Sequence, residues 1–169
     1  MHPLRKLDGT EFQDIQGKIC VEVGVYRGDF AQHIANCLTE KLYLVDCWEH
    51  QDSYDDVANL PNDQQMDNYM FTKARFAGNN HVELIKGYSS EASLLFAEGV
   101  IDFVYIDANH SEVACYSDLV VWFHKLKIGG WICGHDYTWP SVQAAINNYC
   151  IPRDYSYIQL TRDSWGIQR

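Results

Sequence analysis

Four acids and two histidines stand where the chain could do chemistry. Glu22 lies near the end of the apolar run Ile19–Val23, Asp46 follows Lys41–Val45, Asp107 follows Ile101–Ile106, and Asp136 follows Trp131–His135. The carboxyl ends of parallel strands line one crevice in a doubly wound sheet, so the spacing predicts that these carboxylates converge. Hard divalent cations prefer carboxylate oxygens, and Asp107 with Asp136 could share one. Crowded carboxylates need a cation or a cationic ligand nearby, or some take up protons. His110, three residues beyond Asp107, could serve as a general base, because its reference pKa lies near working pH. His135, one residue before Asp136, could ligate a metal or orient that acid.

The glycines give these acids a setting. Glu22-x-Gly24-x-x-x-Gly28 follows an apolar run and precedes helical spacing, with Phe30, Ile34, Cys37 and Leu38 on one face. That is a strand, a tight turn and a helix, the opening unit of a nucleotide-type site. Glycine lets backbone approach a ligand closely, and the helix start offers free N–H groups. The pattern is not Gly-x-Gly-x-x-Gly. Tyr26 and Arg27 stand where a pyrophosphate would want glycine amides, which favours a nucleoside without phosphates. Asp46 then suits hydrogen bonds to ribose hydroxyls, and Glu22 can orient the loop and face a ligand ammonium.

The elements that must position these groups alternate. Strands are predicted over Lys18–Val23, Lys41–Val45, His81–Lys86, Ile101–Ile106 and Trp131–His135. Helices are predicted over Asp29–Thr39, from Asn62 to Gly78, from Ser89 to about Glu98, over Ser111–Lys127 and over Ser141–Tyr149. Asn62 and Gln65 read as a capping box. Gly129-Gly130 reads as the stop of the fourth helix, one side of which is expected to carry Val113, Tyr116, Val120, Phe123 and Leu126. Tyr157–Thr161 and Trp165–Gln168 read as a closing hairpin that adds one antiparallel strand at an edge. The fold class is therefore α/β, a Rossmann-like doubly wound, mostly parallel sheet. The polar stretch 48–62 reads either as a solvated loop or as a lid.

At 169 residues the chain forms one domain, with 1–17 as a lead-in to the first strand. A net charge of -10 makes a nucleic-acid backbone an unfavourable partner. No apolar run is long enough to span a membrane. The six cysteines include no C-x-x-C pair and fall largely in strands and helices, which fits buried thiols in a reducing cytoplasm.

Four blocks carry a family resemblance: Glu22-Val-Gly-Val-Tyr-Arg-Gly28, Leu44-Val-Asp46, Ile106-Asp-Ala-Asn-His110 and Gly129-Gly-Trp-Ile-Cys-Gly-His-Asp-Tyr137. Together they resemble class I S-adenosylmethionine-dependent methyltransferases, and more narrowly the small bacterial branch related to macrocin-type and catechol-type O-methyltransferases. The resemblance runs from about Lys18 to Tyr149 and implies the seven-stranded methyltransferase fold. It implies that Gly24 and Gly28 wrap the methionine end of S-adenosylmethionine, that Asp46 binds its ribose and that Ser89 meets its adenine. Glu22, Tyr26, Cys47, Tyr88 and Asp107 complete that expected cofactor site. It also places Asp107 and Asp136 as ligands of a divalent cation such as Mg²⁺, with His135 as a further candidate. Two positions depart from the catechol-type pattern. His110 stands where those enzymes keep a catalytic lysine, and Tyr137 where they keep a third metal ligand, an asparagine.

The expected activity is methyl transfer to a hydroxyl oxygen of a small-molecule acceptor, a sugar or a phenolic compound, with His110 and Asp107 as catalytic groups. Trp48, Tyr54, Tyr137 and Trp139 could line the acceptor pocket, and a second subunit could close the site in a homo-oligomer. An NAD-type oxidoreductase and a catalytically inert cofactor-binding protein are the competing readings.

Overall fold

The structure, a computed structural model, describes residues 18–37, 39–52 and 54–169. The expected lead-in 1–17, and Leu38 on the first helix, lie outside the described residues. Seven strands form one sheet: β1 (Ile19–Val23), β2 (Lys41–Asp46), β3 (Val82–Lys86), β4 (Ile101–Ile106), β5 (Leu126–Gly134), β6 (Tyr157–Thr161) and β7 (Ser164–Gln168). Their order is β3-β2-β1-β4-β5-β7-β6. The first five pair in parallel, and β7 is antiparallel to both neighbours. The helices are α1 (Asp29–Asn36), α2 (Asn62–Arg75), α3 (Ser89–Ser93), α4 (Glu112–Phe123) and α5 (Pro140–Cys150).

Successive strand residues point to opposite faces, and the sequence fills both. Val21, Val23, Val104 and Ile106 enter one core with Leu119 and Trp122 of α4 and Val142 and Ile146 of α5. Cys20, Leu42, Leu44, Phe103 and Tyr105 enter the other with Ala31 and Ile34 of α1 and with Phe76. Near-continuous apolar strands are what a sheet covered on both faces requires.

The details differ from the sequence expectation in several places, and the third helix ends at Ser93, short of Glu98. The closing hairpin does not add its antiparallel strand at the edge: β7 inserts beside β5 and leaves β6 outermost. Backbone bonds between Gly129, Gly130 and Arg169 extend this junction past the end of β7. Helix α4 stops at Phe123, well short of Lys127. There the Lys125 carbonyl accepts the Val100 and Ile101 amides, so the chain is already pairing with the start of β4. Gly129-Gly130 thus lies inside β5, at a shift in register, and stops no helix. The buried side of α4 is Cys115, Asp118, Leu119, Trp122 and Phe123, while Val113 is 80% exposed. The capping box at Asn62 does not form: Asn62 Oδ1 accepts the His50 amide, and Gln65 Nε2 donates to the Ala58 carbonyl. Both side chains instead tie down the preceding segment, which tertiary contact favours over a local cap.

Candidate active site

The turn after β1 is fixed by backbone. The Gly24 amide donates to the Val45 carbonyl at 2.9 Å, and the Asp107 amide to the Val23 carbonyl at 2.8 Å. Gly24 adopts φ +85°, and a Cβ there would overlap the Asp107 carbonyl. Asp46 then takes hold of the loop. Its Oδ2 accepts the amides of Val25 at 2.8 Å and Tyr26 at 2.9 Å, and its Oδ1 accepts that of Trp48 at 2.7 Å. Tyr26 is held at φ 53°, its carbonyl accepting from Trp48 Nε1 and Thr72 Oγ1. Gly28 serves packing instead, since a Cβ there would press on Phe76 and Thr72. It does not line the cleft, unlike the other glycine of the loop, and it lets helix α2 approach.

A cleft of about 470 Å³ opens at the carboxyl ends of β1, β2 and β4. Glu22, Gly24, Tyr26, Asp46, Cys47, Tyr88, Ser89, Asp107 and His110 line it. From the stretch 48–62 come Glu49, Gln51, Tyr54, Asp56, Ala58 and Asn59, so this segment forms part of the cleft wall. Asn109 Nδ2 donates to Gln51 Oε1 at 2.8 Å, joining that segment to the end of β4.

Glu22 is 2% exposed, and its Oε2 has no hydrogen-bond partner. Burial, with Asp107 and Asp46 beside it, holds its pKa well above the usual carboxylate range.

His110 is the hub of the other wall. Its Nε2 lies 2.8 Å from Asp136 Oδ2 and 3.4 Å from Asp107 Oδ1. Its Nδ1 lies 2.9 Å from the Tyr54 hydroxyl and 3.5 Å from Asp56 Oδ2. The His110 amide donates to the same hydroxyl, and Trp139 packs 5.1 Å away, ring to ring. Burial lowers the pKa of His110, but the bonded, charged carboxylates of Asp107 and Asp136 outweigh it and carry it to about 10. Burial raises Asp136 in turn, and His110 and His135 overcome this to hold it below the usual carboxylate range. In this arrangement His110 is an imidazolium near neutral pH, a cation set among three carboxylates.

The charge on His110 couples folding to pH. The folded pKa exceeds the reference 6.5, so the stabilisation is whole below about pH 6.5 and is lost as pH rises towards about 10. The stability gap between wild type and His110→Gln is expected to be wide near pH 6 and to close towards pH 10. Thermal melts at both values check this; a gap flat with pH would refute the raised pKa.

Three ligand atoms from Asp107, His110 and Asp136 lie within 4.8 Å of one another, close enough to share a cation. His135, expected beside Asp107, groups instead with Asp136 and Asp163. Its ring nitrogens lie 3.3 Å from Asp136 Oδ2 and 3.9 Å from Asp163 Oδ2. Neither His135 nor Asp136 lines the cleft itself. Of the aromatic acceptor candidates, Tyr54 lines the cleft and Trp139 flanks His110, but Trp48 is 1% exposed in the core and Tyr137 packs with Tyr157.

Asp118 is a cleft residue that the sequence reading misses. It is 6% exposed and lines the cleft from α4. The available signal is an acid on the apolar stripe Cys115, Asp118, Leu119, Trp122, where an unpartnered charge is disfavoured.

The fold and this cleft define a nucleotide-type α/β protein whose glycine loop borders an acidic cleft. A family model described as a methyltransferase domain matches residues 21–137. The chain belongs to that family, within the class I S-adenosylmethionine-dependent methyltransferases. No curated protein matches it in sequence. Among solved structures it is similar to the O-methyltransferase NovP, with 16% identity, TM-score 0.64, and 96% of this chain and 76% of that one covered. An O-methyltransferase from Bacillus cereus in complex with SAH gives 13% identity, TM-score 0.66, and 98% and 80%. An rRNA methylase from Streptococcus thermophilus gives 15% identity, TM-score 0.68, and 100% and 97%.

Proposed function

We propose that the chain transfers a methyl group from S-adenosylmethionine to a hydroxyl oxygen of a small molecule, a sugar or a phenolic compound. The observation that carries this reading is the position of His110. It lines the cofactor-sized cleft and is held there by Asp107, Asp136 and Tyr54. The neighbours named as O-methyltransferases, one of them in complex with SAH, support the same direction.

In this reading the loop Gly24–Tyr26 and Asp46 hold the nucleoside, and Glu22 faces the ammonium of the methionine end. The acceptor oxygen attacks the methyl carbon in line, the carbon–sulfur bond breaks, and the sulfonium becomes a neutral thioether. The hydroxyl proton passes to His110 in its neutral form, while Asp107 and Asp136 steady the imidazolium that results. Positioning and deprotonation supply most of the rate. Alternatively, a divalent cation held by Asp107, His110 and Asp136 would take the place of His110 as base and lower the hydroxyl pKa by Lewis acidity.

The dinucleotide reading is opposed by Asp46. Its carboxylate already occupies the Val25 and Tyr26 amides that a pyrophosphate would need, and it sets negative charge there. RNA, which the name of the rRNA methylase neighbour suggests as a substrate, is opposed by the net charge of -10. The six cysteines are free thiols, which supports a reducing cytoplasmic setting; among the described residues no helix is long and apolar enough to cross a membrane.

Asp46→Ala is expected to weaken S-adenosylhomocysteine binding by about 1–3 kcal/mol, since it removes a charged acceptor and frees the loop amides. Calorimetry measures this, and unchanged affinity would show that another group holds the loop. The function itself is tested by product release in a panel of sugars, phenols and RNA, each with magnesium or with EDTA. Turnover with hydroxylated small molecules supports the proposal, and turnover confined to RNA refutes it. Loss of turnover in EDTA assigns the cation a part; turnover that EDTA leaves unchanged removes it.

A further inference from the structure

We infer that Tyr54 is a catalytic residue, whose hydroxyl takes the acceptor's proton while passing its own to Nδ1 of His110. This rests on the reading that neutral His110 is the base. Tyr54 comes from the stretch 48–62 and lines the cleft.

The hydrogen-bond inventory of the histidine sets the problem. A neutral imidazole offers one N–H and one lone pair. Nε2 lies 2.8 Å from Asp136 Oδ2 and 3.4 Å from Asp107 Oδ1. An ionised carboxylate can only accept, so Nε2 carries the hydrogen and Nδ1 the lone pair that must receive a proton. That lone pair is already engaged, because the Tyr54 hydroxyl lies 2.9 Å from Nδ1. An acceptor reaches Nδ1 only by displacing Tyr54 or by acting through it. Displacement is opposed by the way Tyr54 is held. Its carbonyl accepts Asn59 Nδ2 at 2.6 Å, and the amide and carbonyl of Gln51 each bond the same Asn59 side chain at 2.8 Å. The His110 amide adds a bond to the Tyr54 hydroxyl at 3.1 Å.

The hydroxyl is suited to act as the go-between. A phenol has one proton and two lone pairs. The proton serves Nδ1, and one lone pair accepts the His110 amide. Asp56 stands beside the same hydroxyl, and its carboxylate has no proton to give, so the second lone pair stays open to an acceptor O–H. In the step, the acceptor oxygen bonds the methyl carbon and the carbon–sulfur electron pair stays on sulfur. The acceptor's proton moves to the Tyr54 oxygen as the Tyr54 proton moves to Nδ1. Tyr54 ends neutral, and the positive charge rests on His110 between Asp107 and Asp136.

The test follows single-turnover methyl transfer by the full chain in EDTA, with catechol and methyl glucoside as probes, in mixtures of H₂O and D₂O. A step that moves a pair of protons gives a rate that curves with deuterium fraction; a single proton gives a straight line. Wild type is expected to curve. Tyr54→Phe keeps the ring and removes the hydroxyl, and is expected to slow the step by about 10²-fold or more and to straighten the plot. Its affinity for S-adenosylhomocysteine is expected to stay within about threefold of wild type. A straight wild-type plot, or a variant rate within about threefold of wild type, overturns the relay. A slow variant whose plot still curves overturns it too, and leaves Tyr54 as a positioning residue for His110. Should Tyr54→Phe fail to fold, the wild-type plot decides alone. Folded wild type that binds S-adenosylhomocysteine but turns over neither probe in EDTA overturns the base reading itself, a result distinct from a straight plot.

Discussion

His110→Ala is expected to lower methyl transfer by about 10²–10⁴-fold while leaving S-adenosylhomocysteine affinity nearly unchanged. The imidazole lines the cleft between Asp107 and Asp136 and against Tyr54. The groups proposed to hold the cofactor belong to other elements: the Gly24 turn after β1 and Asp46 at the end of β2. A helix cap is not the explanation for this histidine, because Ser111 caps α4 by accepting the Ala114 amide at 3.3 Å. Its high pKa gives the wild-type rate a direction with pH. The neutral form that accepts a proton grows as pH rises towards about 10, so metal-free turnover should rise over that interval. Product release with an acceptor from the panel measures the rate, and calorimetry the affinity. Near-normal turnover in the variant, or a cofactor affinity that falls with it, refutes the role.

Gly24→Ala is expected to destabilise the fold by about 2–5 kcal/mol and to abolish measurable cofactor binding. Two effects add. The residue sits at φ +85°, where an L side chain is strained, and its Cβ would overlap the Asp107 carbonyl. That carbonyl belongs to backbone at the end of β4, so it cannot move aside without disturbing the bond between the Asp107 amide and the Val23 carbonyl. Gly78 supplies the comparison: it has φ +82° with nothing within 4 Å of a Cβ. Gly78→Ala should therefore show the backbone strain alone, about 1–2 kcal/mol. Denaturant melts of both variants separate the terms. A Gly24→Ala loss no larger than that of Gly78→Ala would remove close approach as the reason for this glycine.

Much of the site is legible in the sequence because it depends on local order. An apolar strand followed by an acid or a glycine places that residue at a strand end, and parallel strands bring their ends together. Glu22, Gly24, Asp46, Asp107 and His110 all reach the cleft by this rule. The family blocks consist of the same residues, and the family match from 21 to 137 agrees with them. Tertiary structure decides what depends on partners distant in sequence. Whether Gly28 meets a ligand or Phe76 is set by how α2 docks, and whether His135 or His110 joins Asp107 is set by side-chain direction beyond the strand end. The strand β5 takes up Gly129 and Gly130 because backbone partners from Arg169 and β4 compete with the helix. Asp118 becomes visible only when packing brings Ser89 to it across 29 residues of chain, with Trp122 reaching that serine across 33. Periodicity sees one element at a time, and a hydrogen bond between two helices is a property of neither alone.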